Sequence, residues 1–424
     1  MANEKRTIWQ NIVKKSKKIL APMVDQSELA WRLLSRRHGA DLCYSPMLHA
    51  SIFLRDARYR KENLVTCPQD RPLVVQFCAN DPDILLEAVR LVADDCDAVD
   101  LNLGCPQAIA KRGHYGAYLQ EDWDLVHKMI NTVHTQLDIP ICCKIRVFND
   151  VNKTIEYAKM LEAAGCQLLA VHGRVREQKG RLTGVADWDQ IRAIKENVKI
   201  SVFANGNVQY GADVDRCLNY TSVDGIMIAE GSLYNPTLFE NRNLPVWETA
   251  LEYLEIATEY PCPMSFIRGH LFKLFHHCLQ LSENRDLQEE LAQAGNMHDF
   301  RSVTCKLRDR FPRTENHHQN QSLPFQLPLP VFICQPYVRP SDSDTKMKET
   351  TGQKRQMDVD TTLSRRKLKK LLKHPNRCVD KKTKEEYKIC QSCCNPKGAK
   401  CSFNMCKACC KVFSFTHLSD CPSS

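Results

Sequence analysis

Eight short apolar runs punctuate the first 235 residues, each followed by a stretch with helical spacing, and this alternation limits the chain to few folds. The runs cover residues 19–23, 42–47, 73–77, 98–103, 139–147, 167–172, 200–204 and 225–229. Most are near-continuous in apolar residues rather than alternating, the pattern of parallel strands covered on both faces. The intervening stretches have helix signals at their ends. Asp81-Pro82 opens one with an N-cap acid and a proline at the first helical position. Ile84, Leu85, Ala88, Val89 and Val92 then share a face. A segment from Thr154 carries Ile155, Ala158 and Leu161, with Gly165 to close it, and Asp187 caps one presenting Ile191 and Ile194. Eight such units predict a closed (β/α)8 TIM barrel. A doubly wound open sheet is the competing α/β solution, but no G-x-G-x-x-G follows the first run.

A barrel needs about 250 residues, so a chain of 424 has room for more. Residues 1–240 are assigned to the barrel, its basic first 18 residues being a lead-in helix rather than a targeting segment. Residues 246–310 change character: Trp247, Leu251, Leu254, Leu271, Leu274, Phe275 and Leu279 fall at helical spacing with no strand signal. Together with an extended stretch around 331–338 they define a helical domain over 241–340. Residues 341–376 are charged and poor in apolar residues, as a disordered basic linker is. A Cys-rich module fills 377–424. The charge is uneven: residues 1–340 carry 40 Lys and Arg against 41 Asp and Glu, whereas 341–424 carry 19 against 9. A basic tail on a neutral body points to a polyanion, nucleic acid before membrane. No run of about 18 apolar residues exists to span a bilayer.

In such a barrel the chemistry gathers at the C-terminal ends of the strands. Here those ends hold Pro22-Met23, Gln76, Asn102-Leu103-Gly104-Cys105-Pro106, Lys144 and Arg146, His172-Gly173-Arg174, Asn205-Gly206-Asn207 and Ala229-Glu230-Gly231. A scaffold alone does not need polar residues converging on one rim. Glycines after strands seven and eight sit where barrels of this type commonly hold a phosphate. Lys144 leaves a strongly apolar strand; it is either a snorkelling lysine in a salt bridge or a cation beside a flavin, where local charge tunes reduction. Thiols keep their proton at neutral pH, so a rim cysteine such as Cys105 suits a general acid. Among 22 cysteines, most are simply small residues, and it is position that singles this one out.

These motifs resemble the tRNA-dihydrouridine synthases, and the resemblance spans roughly residues 15–310. It rests on Ala21-Pro22-Met23, Val75-Gln76, Asp100 through Pro106, Lys144-Ile145-Arg146, Val171 through Arg174 and Ala204 through Asn207, in the same order. With His38-Gly39-Ala40 and Lys111 through Gly116, the pattern is most similar to the eukaryotic subgroup acting on D-loop positions 16 and 17. The resemblance implies FMN on the barrel rim, reduced by NADPH or NADH. Pro22, Met23, Val24, Gln76, Lys144 and His172 would face the flavin, and Asn205, Gly206, Asn207, Ala229 and Glu230 would hold its phosphate. Cys105 would be the proton donor, with Asn102, Arg146 and Arg174 toward the substrate, a tRNA uridine. Many relatives have Gly-Arg-Gly after strand eight where this chain has Ala229-Glu230-Gly231. Backbone donors survive that change; a cationic side chain does not.

Nine of the cysteines crowd into residues 378–421. Cys390-x2-Cys393 and Cys406-x2-Cys409, twelve residues apart, form a four-thiolate zinc pattern. Cys401, Cys410, His417 and Cys421 are left for a second ion, and Cys394 competes with Cys393. Lys397, Lys400, Lys407 and Lys411 interleave the cysteines, which favours RNA phosphates. The expectation is a cytoplasmic enzyme, with a nuclear pool left open by the basic tail, no membrane and no obligate protein partner. The alternatives are an FMN barrel acting on free pyrimidines and a catalytically idle RNA-binding protein.

Overall fold

The computed structural model describes residues 4–311, 327–337, 388–393, 395, 397–398, 401–406 and 409–410. The expected linker at 341–376 lies outside them, as do Cys394, His417, Cys421 and Lys400, Lys407 and Lys411. Two compact units are present, residues 1–339 and 340–424.

Eight parallel strands form the first unit's centre: β1 (Lys18–Leu20), β2 (Leu42–Tyr44), β3 (Leu73–Cys78), β4 (Ala98–Leu103), β5 (Ile141–Arg146), β6 (Leu168–His172), β7 (Ser201–Asn205) and β8 (Gly225–Ile228). Each pairs with the next, and β8 returns to β1 through Ile19 opposite Met227, which closes the barrel. All eight expected runs are strands. Strands β1 and β2 end earlier than expected, because Pro22 and Pro46 lack the N–H that a ladder needs. After Pro46 a two-residue strand, Leu48–His49, resumes pairing on β3.

The helices begin where short acids offer a cap. Asp81, Asp122, Asp150 and Asp187 accept N–H bonds from Ile84, Leu125, Asn152 and Gln190. The helix capped by Asp150 therefore starts at Val151, three residues before the expected Thr154, whose hydroxyl instead donates to Gln190 Oε1 at 2.8 Å. Apolar side chains fill the lower barrel interior, among them Ile19, Leu42, Tyr44, Val74, Ala98, Cys142, Leu168, Phe203 and Met227. The lead-in helix Glu4–Lys15 adds Trp9 and Val13 to that cluster, so it stops the barrel's N-terminal end.

Among the described residues four α-helices follow the barrel: Val246–Glu259, Met264–Leu274, Arg285–Gln293 and Met297–Arg310. They share one core with the barrel helices, Trp247, Tyr253, Leu271 and Phe300 belonging to the same cluster as Leu34 and Val89. The tie is polar as well. Glu28, buried ahead of the Leu29–Arg37 helix, accepts from Tyr253 Oη (2.8 Å) and His270 Nε2 (3.0 Å), and Trp31 stacks on His270. Burial pushes the Glu28 carboxyl up, but the His270 charge and these hydrogen bonds outweigh it and hold it below the ordinary carboxylate value. Residues 327–337 then run back as a strap, bridged through Ile333 to Pro245. Among the described residues no helix is long and apolar enough to cross a membrane.

Candidate active site

Side chains alternate along a strand, so positions two apart face the same way. The inward set that is apolar low in the barrel turns polar toward the C-terminal ends: Gln76 on β3, Asp100 and Asn102 on β4, Lys144 on β5, His172 on β6, Asn205 on β7. Register brings them together, with Gln76 opposite Asp100, Asn102 opposite Lys144 and His172 opposite Asn205. Five of the expected site residues thus form one layer. Pro22 and Met23 follow β1 directly, and Met23 packs against the main core.

Hydrogen bonds knit this layer. Lys144 Nζ donates to Asn205 Oδ1 (3.0 Å), and Asn205 Nδ2 donates to the Met227 carbonyl (2.8 Å). Burial pushes the Lys144 ammonium down to about 8, helped by Arg146 and opposed by Asp100 and Cys105. It therefore stays charged at neutral pH. His172 is held well below its usual value by burial, with Lys144, Arg146 and Arg174 adding to the effect, so its imidazole is neutral. Burial raises the Asp100 carboxyl to about 7 against the bond from Gln76 and the pull of Lys144.

Cys105 follows β4 in a turn held from two sides. Asn102 Oδ1 accepts from the N–H groups of Gly104 (3.2 Å) and Cys105 (3.0 Å), and Ala117 N donates to the Cys105 carbonyl (3.1 Å). Gly116, at φ +64°, lies so close that an added Cβ would stand 2.8 Å from the Cys105 carbonyl oxygen. The thiol residue itself is only partly buried. Arg146, expected to face substrate, is buried, with Nε on the Gly104 carbonyl (2.9 Å) and Nη1 on those of Val175 (2.8 Å) and Gln178 (3.1 Å). It clamps the two loops flanking the mouth.

A cavity of about 570 Å³ opens at the ends of β6 to β8, a size that suits a cofactor. His172, Arg174, Asn205, Gly206, Asn207, Ala229 and Glu230 line it, all expected site residues. Gly206, at φ +113°, adopts a backbone that strains other residues, and a Cβ there would stand 2.7 Å from Ala186. Arg174 reaches His172 Nε2 (2.9 Å) and Asn207 Oδ1 (2.6 Å). Arg216 lines the same cavity, so cations come from two other elements where the Ala229-Glu230-Gly231 turn has none. This donor set, with the half-buried Lys144 bonded to Asn205 beside it, fits an anionic cofactor such as FMN. Val24 instead lines a second cavity of about 230 Å³, together with Met47, Tyr59 and Cys262.

Sequence reasoning missed four contributors. Pro336 and Tyr337 of the strap wall the cavity, Tyr337 stacked on Tyr234 and the Pro336 carbonyl held by His277 Nε2 at 2.9 Å. No strand-end rule reaches them. Arg216 comes from a helix, again outside that rule. Asp100 was detectable: an acid at an inward position of an apolar strand.

In the second unit, the Sγ atoms of Cys390, Cys393, Cys406 and Cys409 all lie within 4.8 Å of one another, with Cys393 3.6 Å from both Cys406 and Cys409. Zinc bonds of about 2.3 Å space tetrahedral thiolates about 3.8 Å apart, so the set fits that ion. Cys401 and Cys410 are buried beside it.

Comparison with known proteins agrees with this geometry. The family profile described as dihydrouridine synthase (Dus) matches residues 19–322. The mouse (Mus musculus) protein named tRNA-dihydrouridine(16/17) synthase [NAD(P)(+)]-like is 52% identical over 422 residues, covering 98% of this chain and 88% of its own. The tRNA-dihydrouridine(16/17) synthase [NAD(P)(+)] of Schizosaccharomyces pombe is 45% identical over 361 residues, 78% of this chain and 90% of its own. That of Saccharomyces cerevisiae is 42% identical over 385 residues, 81% and 90%. A closed barrel, a polar layer at its mouth and these likenesses lead to one assignment: the chain belongs to the dihydrouridine synthase family.

Proposed function

We propose that this protein reduces the C5–C6 double bond of uridines at positions 16 and 17 of the tRNA D-loop, using FMN and either NADPH or NADH. The observation that carries the reading is the convergence of Cys105, Asn102, Lys144 and His172 on one mouth beside a cofactor-sized cavity. The names of the mouse and yeast relatives support the target positions and the reductant.

Asn205, Gly206, Asn207 and the Ala229–Gly231 backbone would hold the FMN phosphate, with Arg174 and Arg216 as cations, while Gln76, Lys144 and His172 face the ring. The chemistry FMN would supply when held by these residues is a hydride for C6 of uracil, drawn from the nicotinamide. Cys105 donates its Sγ proton to C5 and is restored from solvent, which completes the addition of two hydrogens. The target base has to leave the tRNA stack first, at about a few kcal/mol. Arg146 holds the loops around it in place. Lys144 keeps a positive charge where electron density collects, and neutral His172 adds no second charge.

The helical segment 246–310 would grip the tRNA body. The four-thiolate set would bind zinc as a structural ion, since four protein ligands leave no open position, and the lysines that interleave these cysteines in sequence would meet RNA phosphates. The deciding experiment supplies purified enzyme, FMN and NADPH with unmodified tRNA and, separately, with free uridine. Dihydrouridine at positions 16 and 17 of the tRNA is expected. Equal turnover of free uridine, or none of tRNA, would overturn the assignment.

A further inference from the structure

One buried group beneath the mouth has no part in the chemistry above. Asp100 lies on β4 two residues before Asn102, 1% exposed, in an interior shared with Tyr44, Val74 and Cys142. A carboxyl there is unfavourable unless its position is used. Its Oδ2 accepts from Gln76 Nε2 at 2.8 Å. Gln76 Oε1 in turn accepts from Asn102 Nδ2 at 2.8 Å. Asn102 Oδ1 accepts from the backbone N–H groups of Gly104 and Cys105 at 3.2 and 3.0 Å. One unbroken chain of hydrogen bonds therefore runs from the barrel interior to the turn that carries the thiol.

Its polarity follows from chemistry. An amide side chain fits the same space in either of two orientations, oxygen and nitrogen exchanged. At the outer end the partners are backbone N–H groups, which only donate. At the inner end an Asp100 carboxyl oxygen accepts, as it can in either protonation state. Only one arrangement of the two amides satisfies both ends; reversing either one sets donor against donor or acceptor against acceptor. Remove the inner acceptor, and Gln76 loses the partner that holds its nitrogen inward.

We propose that Asp100 is a positioning residue, which orients the Gln76 and Asn102 amides and so holds the Cys105 turn for proton donation. It rests on the reading of Cys105 as the proton donor, and it adds a residue that touches neither substrate nor cofactor.

The test reads amide hydrogen exchange at Gly104 and Cys105 in flavin-free protein, alongside uridine reduction by the FMN-loaded enzyme. In Asp100→Ala, exchange at these two amides rises at least tenfold while strands β6 and β7 stay protected, and uridine reduction slows about tenfold. Asp100→Asn keeps an acceptor oxygen for Gln76 and loses the charge; both readouts stay within about twofold of wild type. Asp100→Val, which matches the apolar surroundings, carries the same expectations as Ala if Ala does not fold. Unchanged exchange at 104 and 105 overturns the proposal. So does a rise spread over all eight strands, or an Asn variant as impaired as Ala, since these mean general destabilisation or a need for charge. A wild type that reduces no uridine overturns the functional reading instead, while the exchange result still judges the chain of hydrogen bonds.

Discussion

At the N-terminal end of the barrel, Trp9 and Val13 join Ile19, Leu42 and Phe203 in a sealed apolar plug. At the C-terminal end strands β3 to β7, two to four residues beyond their own apolar inward positions, present Gln76, Asn102, Lys144, His172 and Asn205, the last two lining an open cavity. Both ends use inward positions of identical parity. The difference teaches that the closed sheet sets where side chains gather, while residue type decides whether they fill the space or act in it. Stability belongs to the lower end and chemistry to the upper, and substitutions at the two should separate cleanly.

The largest effect is expected at the mouth. Cys105→Ala should lower uridine reduction by about 10²–10⁴-fold while reduction of FMN by NADPH continues; stopped-flow absorbance and dihydrouridine mapping measure the two halves. Loss of both halves would place Cys105 in the scaffold. At the plug, Trp9→Ala should cost about 3–5 kcal/mol of stability, read by denaturant unfolding, with turnover per folded molecule unchanged at low temperature. A change in rate at full folding would show that the two ends are coupled.

Lys144→Met comes next, slowing turnover about 10²-fold and lowering the reduction potential of bound FMN. A smaller effect follows from its proton. The Lys144 ammonium is lost as pH rises through about 8, so turnover should decline above that pH by about tenfold per unit. Lys144→Arg, charged throughout, should flatten the alkaline limb in a rate–pH profile. The smallest effect lies outside the barrel. Chelation of a metal from Cys390, Cys393, Cys406 and Cys409 should weaken tRNA binding a few-fold and reduce its salt dependence, leaving FMN content untouched. Filter binding against salt concentration measures it.

Much of the mouth is legible in the order of residues alone. Lys144 is the first charge in an apolar run, His172 and Asn205 stand at the ends of theirs, and a barrel sends such positions to one rim. Cys105 stands out by its place in the Gly104–Pro106 turn. The role of Arg146 is not legible, because its guanidinium partners are backbone carbonyls of Gly104, Val175 and Gln178, and no residue pattern encodes a contact with the main chain. Tyr337 is hidden for another reason. Its route to the cavity depends on a strap docked through Ile333 and Pro245, two residues far apart in the chain.

The sequence by itself determined the eight strands, their order and the rim on which the polar residues meet, because apolar periodicity, Asp caps and strand-breaking prolines act over a few residues. Only the tertiary structure decided which hydrogen bonds those residues make. Asp100 reaches Gln76 on the neighbouring strand, Glu28 meets His270 across 242 positions, and four sulfurs close on one point. Such contacts depend on register and burial, and these exist only once the chain has closed on itself.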